Sequence, residues 1–376
     1  MKNKKILVLY QDWSNFFEEN ISVFEHWFKN LDGAYLENND YYIFSISLNE
    51  KKFQLEKNIK VELFKTSPKK QILDFFKIEQ RLNNLILEYE PDYIYVPYLY
   101  MGSMLPKKNS SKKYKVISFL RDKTPKMIQG KGGIRHLIGY LFYLFDYLAF
   151  KKTDKLLYNG KSLLTYSRSL GYKGKAIFCP RDISDKKEFQ KSKLETVDIE
   201  NFKNKKVILS VARLSKSKNL ELGIKALSYL DENYVYVIIG DGEDILFFKN
   251  LAKKLGVLHR VFFIGYIKHK DIWKYYKAAD VFWLLSKTDF EGTPNVVQEA
   301  FYAKVPVIVS NVSSMKNIVK ENKNGIILNS FKTEELVEKT KLLLSDKKLY
   351  KYFQVNGYKT INKIIKQRFE IKNVFK

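Results

Sequence analysis

The chain has 376 residues, 45% of them hydrophobic, more than one core normally accommodates, so two globular domains are expected. Its 67 Lys+Arg against 41 Asp+Glu give a formal charge of +26, which points to anionic partners: nucleotide phosphates, nucleic acid or an acidic membrane surface. The single cysteine, Cys179, excludes an intramolecular disulfide, fits a reducing compartment and reads as a small buried hydrophobe.

In chain order, Met1-Lys2-Asn3-Lys4-Lys5 imitates the basic start of a signal peptide, but the apolar run 6–10 stops at Gln11-Asp12 and reads as a first strand. Strand-like runs follow at 42–47, 59–63, 93–96, 116–119 and 156–158, alternating with helical patterns, as in an open, mostly parallel α/β sheet. The segment 71–82 has apolar residues at helical spacing before Pro91-Asp92 stops the pattern. The longest apolar stretch, 137–150, contains Asp146 and falls short of the ~20 residues that a membrane-spanning helix needs. A cytoplasmic protein is therefore expected. The surrounding 134–152 segment is read as a helix covering the sheet, because apolar helices usually pack inside, with docking on an anionic bilayer as the alternative. Lys107, Lys108, Lys112 and Lys113 read as a solvated loop, with a lipid-phosphate contact as the alternative.

From 184 to 204 the sequence turns polar and loses apolar periodicity, which places a domain boundary near Ile183. A second α/β series then runs through 207–211, 219–230, 234–239, 244–255, 261–264, 271–279, 280–286 and 305–310. Two such domains would face each other across a cleft, where large ligands are usually bound.

Chemistry concentrates in the second series. In Phe290-Glu291-Gly292-Thr293-Pro294-Asn295-Val296-Val297-Gln298-Glu299-Ala300, Thr293 is a candidate N-cap and Pro294 suits the first helical position. Free backbone N–H groups there would attract phosphate. Glu299 would lie roughly 7.5 Å along the axis from Pro294, so Glu291 and Glu299 could flank one ligand bearing phosphate and hydroxyls. Singly, each acid is a solvated charge; the strand, loop, helix, strand context shifts the weight, because ligands sit at the carboxyl ends of parallel strands. Arg213 and Lys218 fall in the loop after the first strand of this domain and could neutralise a diphosphate. Gly240-Asp241-Gly242-Glu243 permits a tight turn and close ligand approach, and a plain strand-end turn explains it equally well. His26, His136, His259 and His269 are scattered and read as surface or packing residues, and no cluster has metal-ligand spacing.

In this order, Arg213 with Lys218, Gly240 to Gly242, Phe263-Ile264-Gly265 and Glu291 with Glu299 resemble the retaining family 4 glycosyltransferases (glycosyl transferases group 1) of GT-B fold, and the 278–282 run and Ser286 match as well. The resemblance covers roughly 205–345. It implies two Rossmann-like domains, an acceptor-binding one over 1–183 and a nucleotide-sugar-binding one over 184–356, with 357–376 as a C-terminal helix returning to the first. It further implies that Arg213 and Lys218 bind the donor diphosphate, Glu291 the sugar hydroxyls and Glu299 the ribose, with backbone N–H groups around Thr293, Asn295 and Val296 completing the phosphate site. Gly240 and Gly242 would line it. The implied reaction is hexosyl transfer from a UDP- or GDP-sugar to a glycan or glycolipid acceptor of surface polysaccharide, capsule or lipopolysaccharide synthesis, with no metal or other cofactor and peripheral contact with the inner leaflet. The sequence departs from the family pattern at Gln11-Asp12-Trp13-Ser14, at Arg121-Asp122 where many members have a histidine, at Arg181-Asp182 and at Asn317. A nucleotide-sugar epimerase of the same fold and a non-catalytic basic protein binding nucleic acid or membrane are the rival readings. No nucleic-acid-binding motif is present, so no nucleic acid partner is expected.

Overall fold

The computed structural model describes residues 3–11, 39–67, 70, 72–97, 99–106, 113–129, 133–179, 189, 202, 204–288, 292–312, 314–367 and 371–375. They group into two compact units: Met1–Arg181 with Phe290–Gly292 and Arg368–Lys376, and Asp182–Asp289 with Thr293–Gln367.

The first unit is built on eight strands: β1 (Lys5–Gln11), β2 (Asp40–Ser47), β3 (Lys51–Glu56), β4 (Ile59–Lys65), β5 (Tyr93–Val96), β6 (Lys115–Leu120), β7 (Lys155–Tyr158) and β8 (Lys175–Phe178). Their order is β3-β4-β2-β1-β5-β6-β7-β8, parallel throughout except for the antiparallel β3–β4 hairpin. Side chains of β1 alternate between two buried clusters, Ile6, Val8 and Tyr10 on one face and Leu7 and Leu9 on the other. Both faces are therefore covered, which is why these strands read as continuous apolar runs.

The expected helix at 71–82 forms instead over Phe75–Tyr89, ending at Glu90 in the left-handed region (φ 49°) just before Pro91. Helix Ile134–Lys152 buries Phe142, Phe145, Ala149 and Phe150 against the layer below but leaves its opposite side in solvent, so the reading as a covering helix holds for one face only. Of the basic loop, Lys107, Lys108 and Lys112 lie outside the described residues, and Lys113 is exposed.

The second unit has six parallel strands: β9 (Lys206–Val211), β10 (Tyr234–Ile239), β11 (Val261–Gly265), β12 (Val281–Leu284), β13 (Val307–Ser310) and β14 (Ile326–Leu328). Adjacent residues again serve opposite cores: Leu209 and Phe282 belong to one, Ile208 and Trp283 to the other. The long helix Lys347–Gln367 groups with this unit, correcting the expectation that 357–376 returns as a helix to the first. The reason is its apolar face: Phe353 and Ile361 are buried in the second unit's cores. Only the last residues join the first unit, where the Phe375 ring sits 5.5 Å from Tyr93 and 6.0 Å from Tyr95.

Candidate donor-binding site

The second sheet is ordered β11-β10-β9-β12-β13-β14. The chain winds outward from β9 in one direction, then returns to β12 and winds in the other. The sheet order therefore reverses between β9 and β12, and the loops leaving their carboxyl ends frame a crevice, the usual ligand position in doubly wound sheets. The loop after β9 carries Arg213 and Lys218, the loop after β12 leads to the helix of Glu299, and the loop after neighbouring β10 carries Gly240 and Gly242.

These loops are tied to one another by backbone. Leu214 N–H donates to the Asp241 carbonyl (2.9 Å), Asp244 N–H to the Leu214 carbonyl (3.0 Å) and Lys287 N–H to the Ser217 carbonyl (2.8 Å). Below them, the Ser210 hydroxyl donates to the Trp283 carbonyl (2.7 Å), closing β9 onto β12. The two glycines are required by this closure. Gly240 has φ +131°, and a Cβ there would stand 2.0 Å from the Ala212 carbonyl oxygen; at Gly242 it would stand 2.4 Å from that of Leu214. The close approach that these glycines permit is thus between two loops of the site.

Arg213 projects into solvent, 70% exposed, where its Nε pairs with Glu243 at 3.0 Å. An exposed pair of this kind contributes only ~0–1 kcal/mol, so it holds the guanidinium weakly. Lys218 ends the 3-10 turn Lys216–Lys218 and is half-buried. Ser286, at the end of β12, is 3% exposed and its hydroxyl has no partner among the described residues.

Helix Asn295–Tyr302 differs by one residue from the expected start. Pro294, with extended backbone (φ −68°, ψ 123°), is the N-cap, and Asn295 is the first helical residue; Thr293 is buried ahead of it. Proline's fixed φ suits either position, and its ψ decides. The N–H groups of Asn295 and Val296, in the first turn, have no intrahelical acceptor. Glu291 lies outside the described residues.

Glu299 is 5% exposed, and both carboxylate oxygens are held: Oε1 lies 2.9 Å from His269 Nε2, and Oε2 accepts the Tyr276 hydroxyl at 2.9 Å. Tyr276 is fully buried, and burial, together with the Glu299 charge, pushes its hydroxyl pKa well above the ordinary value, so it stays protonated as a donor. His269, read from sequence as a surface or packing residue, is instead a polar partner of the site carboxylate, its ring meeting Trp273 edge-on at 5.9 Å. Each oxygen keeps acceptor capacity beyond these contacts, which suits a vicinal diol. Two partners, 30 and 23 residues earlier in the chain, could not be paired with Glu299 by spacing.

In the first unit a cleft opens at the carboxyl ends of β5 and β6, lined by residues including Pro97, Leu99, Arg121, Asp122 and Thr124. Arg121 places its guanidinium 4.8 Å from the centroid of the Phe119 ring, and Asp122 accepts the Thr124 hydroxyl at 2.6 Å. No group of three or more His, Cys, Asp or Glu that could hold a metal ion occurs among the described residues.

The family profile "Glycosyl transferases group 1" matches residues 192–360. The Campylobacter jejuni GalNAc-alpha-(1->4)-GalNAc-alpha-(1->3)-diNAcBac-PP-undecaprenol alpha-1,4-N-acetyl-D-galactosaminyltransferase is 27% identical over 234 residues, 61% of each protein. The chain spans 40% to 61% of the length of the first four curated relatives that it matches. Among solved structures, Anabaena Alr3699/HepE in complex with UDP superposes with TM-score 0.70 at 19% identity, covering 98% of this chain and 97% of that one. WaaG, a glycosyltransferase involved in lipopolysaccharide biosynthesis, superposes with TM-score 0.66 at 16% identity, covering 95% of both. The chain is thus of GT-B fold, and its residues 192–360 match the group 1 glycosyltransferases.

Proposed function

We propose that the protein transfers a sugar from a UDP- or GDP-sugar to a glycan or lipid-linked acceptor, with the anomeric configuration retained. The observation that carries this reading is the convergence of the Arg213/Lys218 loop and the Glu299 helix on the point where the second sheet reverses its order. Glu299, held by His269 and Tyr276, accepts the ribose hydroxyls. The first-turn N–H groups of Asn295 and Val296 meet phosphate oxygens, and Arg213 and Lys218 neutralise the charge that builds on the diphosphate as the sugar–phosphate bond breaks. Glu291 takes the sugar hydroxyls on the resemblance alone. In this reading cations and a helix end do the work that a metal does elsewhere. The acceptor oxygen forms the new glycosidic bond, and its proton leaves with the departing nucleoside diphosphate. A glycolipid or polysaccharide acceptor, and with it peripheral attachment at the inner leaflet, is supported by the Campylobacter relative, whose name carries an undecaprenol-linked glycan, and by WaaG.

The test is release of nucleoside diphosphate from a panel of UDP- and GDP-sugars in the presence of membrane lipid extract, with anomeric configuration read by NMR. One donor should be consumed by the wild type and not by Arg213→Ala or Lys218→Ala. Turnover unchanged in both variants would refute the assignment of the site.

A further inference from the structure

Among the described residues, one side of helix Ile134–Lys152 has no partner element, and its composition is unusual for one facing water. Leu137, Tyr140, Leu144 and Tyr147 are 67%, 59%, 49% and 40% exposed. With exposed His136 and Lys151 they fall within an arc of roughly 100° at ~100° per residue, so four of the six residues on this face are apolar or aromatic. No acid lies in the arc; Asp146 points the other way and is buried. The helix Phe75–Tyr89 extends the surface, since Phe75 stacks on Phe145 (5.4 Å, 11°) while neighbouring Leu73 and Phe76 are 79% and 78% exposed.

Charge and chemistry select the occupant. Lys151 covers the Tyr147 ring at 5.3 Å, Lys126 is exposed on a neighbouring short helix, and Lys77, paired with Asp74 at 3.9 Å, is exposed next to Phe76; the stripe thus carries cations at its borders, with one acid beside Lys77, and the whole chain carries +26. Tyrosine, with an apolar ring and a polar tip, suits the boundary between acyl chain and headgroup. No helix among the described residues is long and apolar enough to cross a membrane. We propose that this face lies in the surface of an anionic lipid bilayer, leucines immersed, tyrosines at headgroup depth and lysines on lipid phosphates. Docking of this kind stands independently of sugar transfer. On the transfer reading, on which this clause alone rests, it brings lipid-borne acceptors to the unit whose cleft includes Leu99 and Thr124, residues of the two short helices packed on the docking helix.

The test is sedimentation of the full chain with vesicles of phosphatidylcholine alone or mixed with phosphatidylglycerol, at low and high salt. Wild type should partition onto the mixed vesicles. The pair Leu137→Ser and Leu144→Ser should weaken partition by roughly a hundredfold, about tenfold per leucine withdrawn from lipid. Lys151→Ser should weaken it about fivefold and reduce its salt dependence. Leu342→Ser, an exposed leucine of the second unit, should change nothing. Unchanged melting and nucleotide binding in every variant keep a loss of partition from being a loss of fold or of the donor site. The proposal is overturned by absence of partition, by partition indifferent to the leucines, or by self-association of the wild type that the leucine pair abolishes, which would make the face an interface between two copies.

Discussion

Replacing Tyr276 by phenylalanine removes one oxygen from a fully buried position and should be felt in two places. The lost hydroxyl donates to Glu299 Oε2 at 2.9 Å, a hydrogen bond to a charged acceptor. Such bonds contribute about 1.5–3 kcal/mol, and the carboxylate left behind is 95% buried, so water cannot take the donor's place without opening the site. Tyr276→Phe should therefore destabilise the second unit by about 2 kcal/mol, a fall of roughly 4–8 °C in its melting transition. It should also loosen the carboxylate that is proposed to hold the ribose and weaken nucleoside diphosphate binding about tenfold, the equivalent of one net hydrogen bond. Calorimetric melting and nucleotide titration should be run on Tyr276→Phe, Glu299→Gln and the double variant. The two substitutions should be coupled by well above ~0.5 kcal/mol, the scatter of independent sites. Additive effects, or nucleotide affinity unchanged in Tyr276→Phe, would show that the hydroxyl does not act through Glu299.

Other expectations follow from the same geometry. Gly240→Ala should lower stability by more than about 3 kcal/mol and abolish nucleotide binding, because neither the Ala212 carbonyl, 2.0 Å from the new Cβ, nor a φ of +131° admits a side chain; a normally melting, nucleotide-binding variant would refute the loop closure. Glu62 is buried, which by itself raises its pKa, but hydrogen bonds from Arg81, Tyr42 and Lys52 outweigh burial and hold it down to about 2. Because its folded pKa is depressed, its contribution is present above about 4.5 and is lost as pH falls toward about 2; Glu62→Gln should cost on the order of 2 kcal/mol at pH 7 and flatten that part of the acid-unfolding profile. Asp146 has the opposite sign. Burial raises its pKa to about 7, opposed by the Tyr166 hydroxyl at 2.5 Å, so stability should fall as pH rises from about 4 to about 7, and Asp146→Asn should remove that slope while keeping an acceptor for Tyr166. A slope unchanged in Asp146→Asn would place the titration elsewhere.

What the sequence discloses depends on whether a signal is local. The parallel strands are legible because both faces are buried, so each reads as an apolar run. β3 escapes because it is a half-exposed antiparallel edge, with charges at Lys51, Lys52 and Glu56, and β8 because it is four residues long at the other edge. Arg213, Lys218 and Glu299 are singled out as candidates by order and spacing. The partners of Glu299 are not, since His269 and Tyr276 reach it only after the helix Trp273–Ala278 packs beside Asn295–Tyr302. The glycines at 240 and 242 look like turn residues until the neighbouring loop is seen lying against them. Helix Ile134–Lys152 is apolar around most of its circumference, so its sequence does not say which face is covered. Packing decides that, with Phe142 and Phe145 inward and Leu137 and Leu144 outward.

The most direct test of the account is titration calorimetry of UDP, GDP and ADP into the wild type and Glu299→Gln. A donor site built on Glu299 should bind one nucleotide saturably, one per chain, and the substitution should weaken it at least about tenfold, because an amide accepts from one side only where the carboxylate accepts from both. Equal affinity in the two proteins, or no selective binding by the wild type, would contradict a donor site built on Glu299.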